Sequence, residues 1–410
     1  MPGTIDANGI AVAFAVDGVE HRVAAVTLAE MIWSGQFRAW VSAAYPFHLK
    51  PYSISFAIFG PFLGFSILGA EPLNLSCYLG ILIFVYKLGN EIFGARVGLV
   101  AAGMVGLWPS FLLHTTQLLR DPLFILGMLA LIFVMTGLLL HPYLWRKSLL
   151  HGVMGGLLAA LLWKIRSDMA PVLMATVILG ALMVVIRQLA LGHLLVANVA
   201  GIAFLAALTA GAMFLPVYRE ADRPRRYREA LTQATPVMRE EELSVWQLAT
   251  RIAIVRQRFI TMYPDSRANI DTDVRLATDR DLLRYLPRAM AIGLFAPFPN
   301  MWFETGSSVG SVGRVLSGFE TLIMYAIECL AMIALWRGRR QLSFWLLTSI
   351  ILMGTIALGL VVVNVGTLYR LRYLFLMLMI ILAAGSITHY LDCFMRRRIT
   401  DVLREAGKDC

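Results

Sequence analysis

From residue 52 to residue 391, apolar positions fall into long runs separated by short polar breaks. The runs 52–70, 73–89, 97–113, 121–140, 149–163, 169–186, 194–217, 316–336, 342–363 and 372–391 are each near the length a helix needs to cross about 30 Å of hydrocarbon. They predict an all-α polytopic membrane protein with about 10–11 transmembrane helices, the eleventh being 287–303 if it crosses. Two stretches depart from this pattern. Val16, Val19, Val23 and Val26 recur every three or four positions, which predicts a helix with one apolar stripe lying along a membrane surface. Arg219 to Arg288 is the large hydrophilic region, and Leu243, Trp246, Ile252 and Phe259 keep helical spacing across Glu240 to Tyr263, predicting a second surface-lying helix. The segment LPRAMAIGLFAPFPNMWFETG that follows is aromatic and broken by Pro297 and Pro299, so it reads as re-entrant or interfacial.

The chain therefore divides into an amphipathic juxtamembrane region (1–51), an N-terminal transmembrane module (52–217), a large outer-face loop with a possible re-entrant segment (218–303), C-terminal transmembrane helices (304–392) and a basic cytoplasmic tail (393–410). Composition agrees: 410 residues that are 59% hydrophobic and 15% charged exceed what a soluble core can bury. The net charge of +10 does not point to nucleic acid, because the basic residues cluster beside apolar runs and in the tail, as the positive-inside rule expects. Cys77, Cys329, Cys393 and Cys410 lie far apart or inside apolar runs, which argues against disulfides and zinc. The opening run IAVAFAV is too short for a signal or a span.

Arg396 to Arg398, Arg337 to Gln341 and His141 to Ser148 are the expected cytoplasmic anchors. Ten crossings then bring Leu118 to Asp121, Lys164 to Asp168, the 219–288 region and Leu368 to Tyr373 to the outer face, but leave the N-terminal helix inside. All come to one face if one of the tightly connected elements between 52 and 113 dips in and returns.

Charges at these helix ends need a reason, since one at the bilayer centre costs at least about 2.5 kcal/mol on insertion scales. Asp17, Glu20 and His21 sit on neighbouring turns of the first helix, either as a chemical patch or as an acidic turn matching the helix dipole. Asp121 follows Arg120 and precedes Pro122, so a helix-capping role competes with a functional one. Lys164, Arg166 and Asp168 are more charges than one cap requires. Arg370 and Arg372 point apart if helical, so serving one anion would need irregular backbone, which Gly366 permits; snorkelling to headgroups is the alternative. Glu320 and Glu328 lie in or near a span, as part of a proton relay or as protonated packing groups.

The order of these motifs resembles the GT-C superfamily of integral-membrane glycosyltransferases, including its family-39-like and aminoarabinose-transferase-like groups. The matching pieces are Asp17 and Glu20 in DGVE, Lys50 and Pro51 in HLKPYSISFAIFG, and Asp121 in LLRDPLF, with YKLGNEIFGARVGLVAAGMVGLWPSFLL similar to the family's third and fourth helices, over roughly residues 15 to 190. The resemblance implies a site at the outer membrane face and sugar transfer from a polyprenyl-phosphate carrier to a lipid, glycan or protein. It also implies Asp17 as general base, Glu20 as partner acid and Lys50 as a phosphate ligand. The family carries a spanning helix before its acidic loop, absent here, so the expectation is a late start or a shortened N terminus; Tyr52 replaces the second proline of the usual KPP.

Such transfer needs a base for the acceptor's proton and cations for the departing phosphate. His48, Lys50, Arg120, Asp121, Arg166, Asp168, Arg370 and Arg372 are the candidate substrate- or phosphate-binding set. No cofactor is required; Asp17, Glu20, His21 and His48 leave room for a divalent metal, though their spacing fits no established motif. The expected partners are a polyprenyl-phosphate-linked sugar donor and membrane lipids, in a bacterial inner membrane with the C terminus cytoplasmic. The rival readings are a polysaccharide polymerase or ligase, and a transporter of lipid-linked or anionic solutes, against which the absence of an inverted repeat in the hydropathy argues.

Overall fold

The computed structural model describes residues 8–9, 17–191, 195–215, 248–262, 266, 268–303 and 310–406; the side chains of Asp17 and of residues 191, 248, 262, 310–313 and 399–406 lie outside that description. The first half contains α1 (Asp17–Trp33), α2 (Phe37–Ser42), α3 (Leu49–Leu63), α4 (Ile67–Phe93), α5 (Ala95–Gly106), α6 (Pro109–Thr115), α7 (Asp121–Leu140), α8 (Trp145–Ile165), α9 (Ala170–Leu191) and α10 (Val196–Ala212). The second contains α11 (Leu248–Met262), α12 (Asp279–Phe295), α13 (Gly310–Gly338), α14 (Leu342–Val361), α15 (Val365–Leu371) and α16 (Tyr373–Ala406). The one β-contact among the described residues is an isolated bridge between Asn269 and Asn364.

Among these residues α4, α7, α8, α9, α13, α14 and α16 are long and apolar enough to cross a membrane, α5 and α6 form a pair bent by 70°, and α10 is apolar but shorter. The chain is an all-α polytopic membrane protein. Its helices pass back and forth between two ends. At the far end Phe93 packs on Phe344 with ring centroids 4.8 Å apart, Arg96 pairs with Asp392 at 3.5 Å and Arg187 donates to the Leu140 carbonyl at 3.0 Å. Asp121, Arg166 and Arg370 meet at the other end, called the site end below.

Three expected spans take another form. The run 52–70 does not pass: α3 has 15 residues, turns back at Gly64 with φ 80°, and packs on α1 and the start of α4 through Ser55, whose hydroxyl donates to the Gly69 carbonyl at 2.8 Å. α3 therefore stays at the site end, which removes the conflict between ten crossings and a site on one face. The run 97–113 breaks at Leu107 and Trp108, because Pro109 begins α6 and has no N–H with which to continue α5. The adjoining Ser110 N–H is satisfied by the Glu320 carboxylate at 2.9 Å, as hydrocarbon demands. The run 194–217 contains the 17-residue α10, drawn against α8 where Gly152 meets Gly201 backbone to backbone, the close approach small residues allow in membranes.

The surface helix expected over Glu240 to Tyr263 corresponds to α11, with 240–247 and Tyr263 outside the described residues. The 287–303 segment is not a long apolar span: it belongs to α12, which opens with a capping box between Thr278 and Asp281, and to a 3-10 turn at Pro299–Met301. α7 lies at the centre of the bundle and is buried on all sides, so its N-terminal residue Asp121 is enclosed by its neighbours.

Candidate functional site

The site grows from the first turn of α7. Pro122 fits that turn because its missing N–H would have no helical partner there, and Asp121 places a carboxylate at the positive end of the helix. Its partners come from two other elements. Arg166, where α8 ends, forms an ion pair and hydrogen bond with Asp121 Oδ1. Arg370, in the last turn of α15, brings Nε to 3.0 Å from Oδ2. The Arg370 contact is an ion pair without hydrogen-bond alignment, since Oδ2 and that Nε are both left without a hydrogen bond. Asp168 joins the group by accepting from Arg166 Nε at 3.3 Å and from Arg120 at 3.4 Å.

This cluster of three guanidinium groups and two carboxylates keeps one positive charge in surplus. It opens outward: the Arg166 and Asp121 side chains are 3% and 5% exposed, Arg370 15%, and Arg120 and Asp168 36% and 47%. Beneath it an apolar slot of about 10 Å³, between Phe124, Val172, Leu374 and Phe375, has room for about one water. A larger cleft, about 570 Å³, lies at the far end between Arg96, Arg337 and Asp392, and shares no residue with the cluster.

His48 is buried with neither ring nitrogen hydrogen-bonded. Its ring meets His21 edge to face at 4.7 Å, and His21 Nδ1 lies 2.9 Å from the Leu118 carbonyl. The first turns of α1 thus sit at the site end beside the segment that leads into Arg120 and Asp121. An imidazole denied both hydrogen bonds costs about 1–3 kcal/mol. His48 precedes α3, outside the membrane-crossing helices. Burial, with nearby His21 and Arg120, holds its pKa well below the ordinary 6.5. The folded protein therefore keeps His48 neutral while the unfolded chain takes up a proton as pH falls below 6.5, so folding stability is lost on that acid side. Wild-type protein should lose more thermal stability between pH 7.5 and pH 5.5 than His48→Gln, measured in the same detergent; equal losses would show that His48 does not hold this position.

Tyr52 is a site-building residue whose part the sequence does not announce. Its buried hydroxyl has one proton to share between Asn74 Oδ1 at 2.9 Å and the Leu119 carbonyl at 3.0 Å, which braces the backbone before Arg120. Glu320, recognised in sequence only as an acid near a span, accepts from Ser110 N–H and from the Tyr369 hydroxyl. Tyr373 and His114 complete this network with a 3.0 Å contact.

The structure brings together His48, Arg120, Asp121, Arg166, Asp168 and Arg370. Glu20 is exposed on the first turn of α1, and Asp17 begins that helix with its side chain outside the described set. Lys50 donates to the Val41 carbonyl at 2.5 Å and lies 5.5 Å above the Trp40 ring. Arg372 faces elsewhere: its buried guanidinium donates to the carbonyls of Gly293, Leu294 and Ala296 at 3.4, 2.8 and 2.6 Å. It closes the C-terminal end of α12, a cation on the negative end of a helix. Arg370 and Arg372 therefore do not converge on one anion, because α15 ends between them. Among the described residues, no three His, Cys, Asp or Glu side chains gather as a metal site would require.

Fold and cluster together define a polytopic helical membrane protein with a buried, net-positive site at one end. No protein-family model matches the sequence, and no curated protein matches it. Among solved structures the chain is similar to the archaeal oligosaccharyltransferase AglB from Archaeoglobus fulgidus, in complex with an inhibitory peptide and a dolichol-phosphate. Identity is 13%, coverage is 87% of this chain and 43% of that one, and the TM-score is 0.44. The chain spans less than half the length of that protein, and a likeness this faint carries no argument about its function.

Proposed function

We propose that the chain is a membrane glycosyltransferase that moves a sugar from a polyprenyl-phosphate carrier to an acceptor hydroxyl. The observation that carries this reading is the Asp121–Arg166–Arg370 cluster with its surplus positive charge at the end of the membrane bundle. A lipid phosphate is a ligand whose head needs such cations and whose tail needs the adjoining bilayer. Arg120 and the partly buried Arg370 are the cations that a phosphate reaches, since both are more accessible than Arg166, which is held on Asp121. The buried guanidinium groups act where water is scarce, so they oppose the charge growing on the phosphate oxygens more strongly than surface arginines would.

In the reaction the acceptor oxygen attacks the anomeric carbon and its proton passes to the Asp17 carboxylate. The bond from that carbon to the phosphate oxygen breaks, and its electron pair leaves on the polyprenyl phosphate. Glu20 supports Asp17, and Lys50 assists at the phosphate, while the buried His48 lies behind the cluster. The arginines of the far end, Arg337, Arg339 and Arg340, fit a cytoplasmic surface, which supports a site on the outer face; the membrane we propose is a bacterial inner membrane.

Membrane vesicles carrying Asp17→Asn should lose release of polyprenyl phosphate from its sugar-linked form while still binding the carrier. Lys50→Ala should weaken carrier binding. Undiminished transfer in both variants would overturn this reading, and binding without any transfer by the wild-type protein would favour a transporter.

A further inference from the structure

We infer that the hydrophilic region around α11 and α12 acts as a clamp that positions Arg370, and that Asn364 is the residue through which it acts; this rests on the phosphate-binding role given to Arg370. The starting observation is the misaligned ion pair. Asp121 lies 3.0 Å from Arg370 Nε without accepting a hydrogen bond from it, so the carboxylate attracts the guanidinium but does not orient it. Its orientation must come from the backbone that carries it. That backbone is α15, only seven residues long and too short to be a stable helix by itself.

Asn364 supplies the missing support. Its side-chain oxygen accepts from Thr367 N–H at 3.2 Å, capping α15. Its amide nitrogen reaches Ser266 Oγ and Asn269 Oδ1, both at 3.1 Å. The backbone on either side is tied to the same segment, since Ile270 N–H donates to the Val363 carbonyl and Val365 N–H to the Ala268 carbonyl, both at 3.0 Å.

The segment that grips Asn364 is itself braced. Asp271, held at φ 52°, accepts from the Tyr285 hydroxyl at 3.0 Å and from Arg288 at 2.9 and 3.0 Å. Its carbonyl accepts from Arg256 at 2.6 Å, and Arg256 also donates to the Leu360 carbonyl at 3.2 Å, where α14 ends. At the other end of α15, Arg372 ties the chain to the last carbonyls of α12. Hydrophilic elements distant in sequence therefore hold both ends of the helix that presents Arg370.

Asn364 is thus a positioning residue, and a double-mutant cycle on the full-length protein in lipid nanodiscs tests it. The probe is a short-chain polyprenyl phosphate. Asn364→Ala, and Asn364→Asp, which keeps the helix cap but loses the amide donors, should each weaken its binding by about tenfold, as coupled neighbours do. Arg370→Ala should weaken it at least as much, and adding Asn364→Ala to that variant should change nothing further. Thermal unfolding identifies any variant that fails to fold, in which case Asp271→Asn, at the remote side of the brace, takes its place. Unchanged binding in the Asn364 variants, or the same factor lost with and without Arg370, would overturn the clamp. No effect of Arg370→Ala alone would instead overturn the phosphate role on which it rests.

Discussion

Arg166→Ala is expected to cost the protein both its stability and its activity. The Arg166 side chain is 3% exposed and bonded to a carboxylate that is itself 5% exposed. Removing it leaves Asp121 charged, enclosed, and facing Arg370 without an aligned hydrogen bond. Breaking a buried pair from one side costs about 3–5 kcal/mol, because the remaining charge has lost its compensation, and that is a large share of a typical folding free energy of about 5–15 kcal/mol. Thermal unfolding in detergent should show a clear fall in melting temperature, and sugar transfer should be lost with it. Arg166→Lys should recover little, since one ammonium cannot serve Asp121 and Asp168 as the planar guanidinium does through Nη1 and Nε. A folded and active Arg166→Ala would show that Asp121 does not depend on this partner.

Arg370→Ala should behave differently, and the contrast separates holding the site from using it. Arg370 is the more exposed of the two partners and makes no aligned hydrogen bond through Nε. Its removal leaves the Asp121–Arg166 pair intact, so the melting temperature should fall far less than in Arg166→Ala. Binding of a polyprenyl phosphate should nevertheless fall by about ten- to a hundredfold, corresponding to a charge-assisted contact of about 1.5–3 kcal/mol. Isothermal titration against the nanodisc-embedded protein measures this directly. Equal stability losses in the two variants would make Arg370 a structural group only.

Much of this arrangement was legible in the sequence because membranes tolerate so few buried charges. Asp121, Arg166, Asp168 and Arg370 stood out at the ends of apolar runs, and they converge. The helical class was legible for the same reason: backbone in hydrocarbon must satisfy its own polar groups. Where hydropathy misleads, length and geometry intervene. The run 52–70 looks like a span, but the turn at Gly64 returns α3 toward α4, and Pro109 bends the next expected span into two pieces.

The division of labour between Arg370 and Arg372 was not legible. Two arginines two residues apart carry the same charge in sequence, and which one faces Asp121 depends on where α15 stops and on α12 offering its last carbonyls to Arg372. Nor could Tyr52 be read as a brace for the Arg120 backbone, because Leu119 comes to it only through tertiary folding. Asn364 is similarly inconspicuous: its partners Ser266 and Asn269 lie 98 and 95 residues away. Such contacts leave no local periodicity.

The most direct measurement compares two ligands that share a hydrocarbon chain and differ in the head group: a polyprenyl phosphate and the polyprenol of equal length. Each is titrated onto the wild-type protein in nanodiscs. A site built on Arg120, Arg166 and Arg370 predicts saturable binding of the phosphate, about a hundredfold tighter than the alcohol, as loss of charge-assisted contacts implies. Equal affinity for both, or no saturable binding of the phosphate, would contradict a lipid-phosphate site at Asp121.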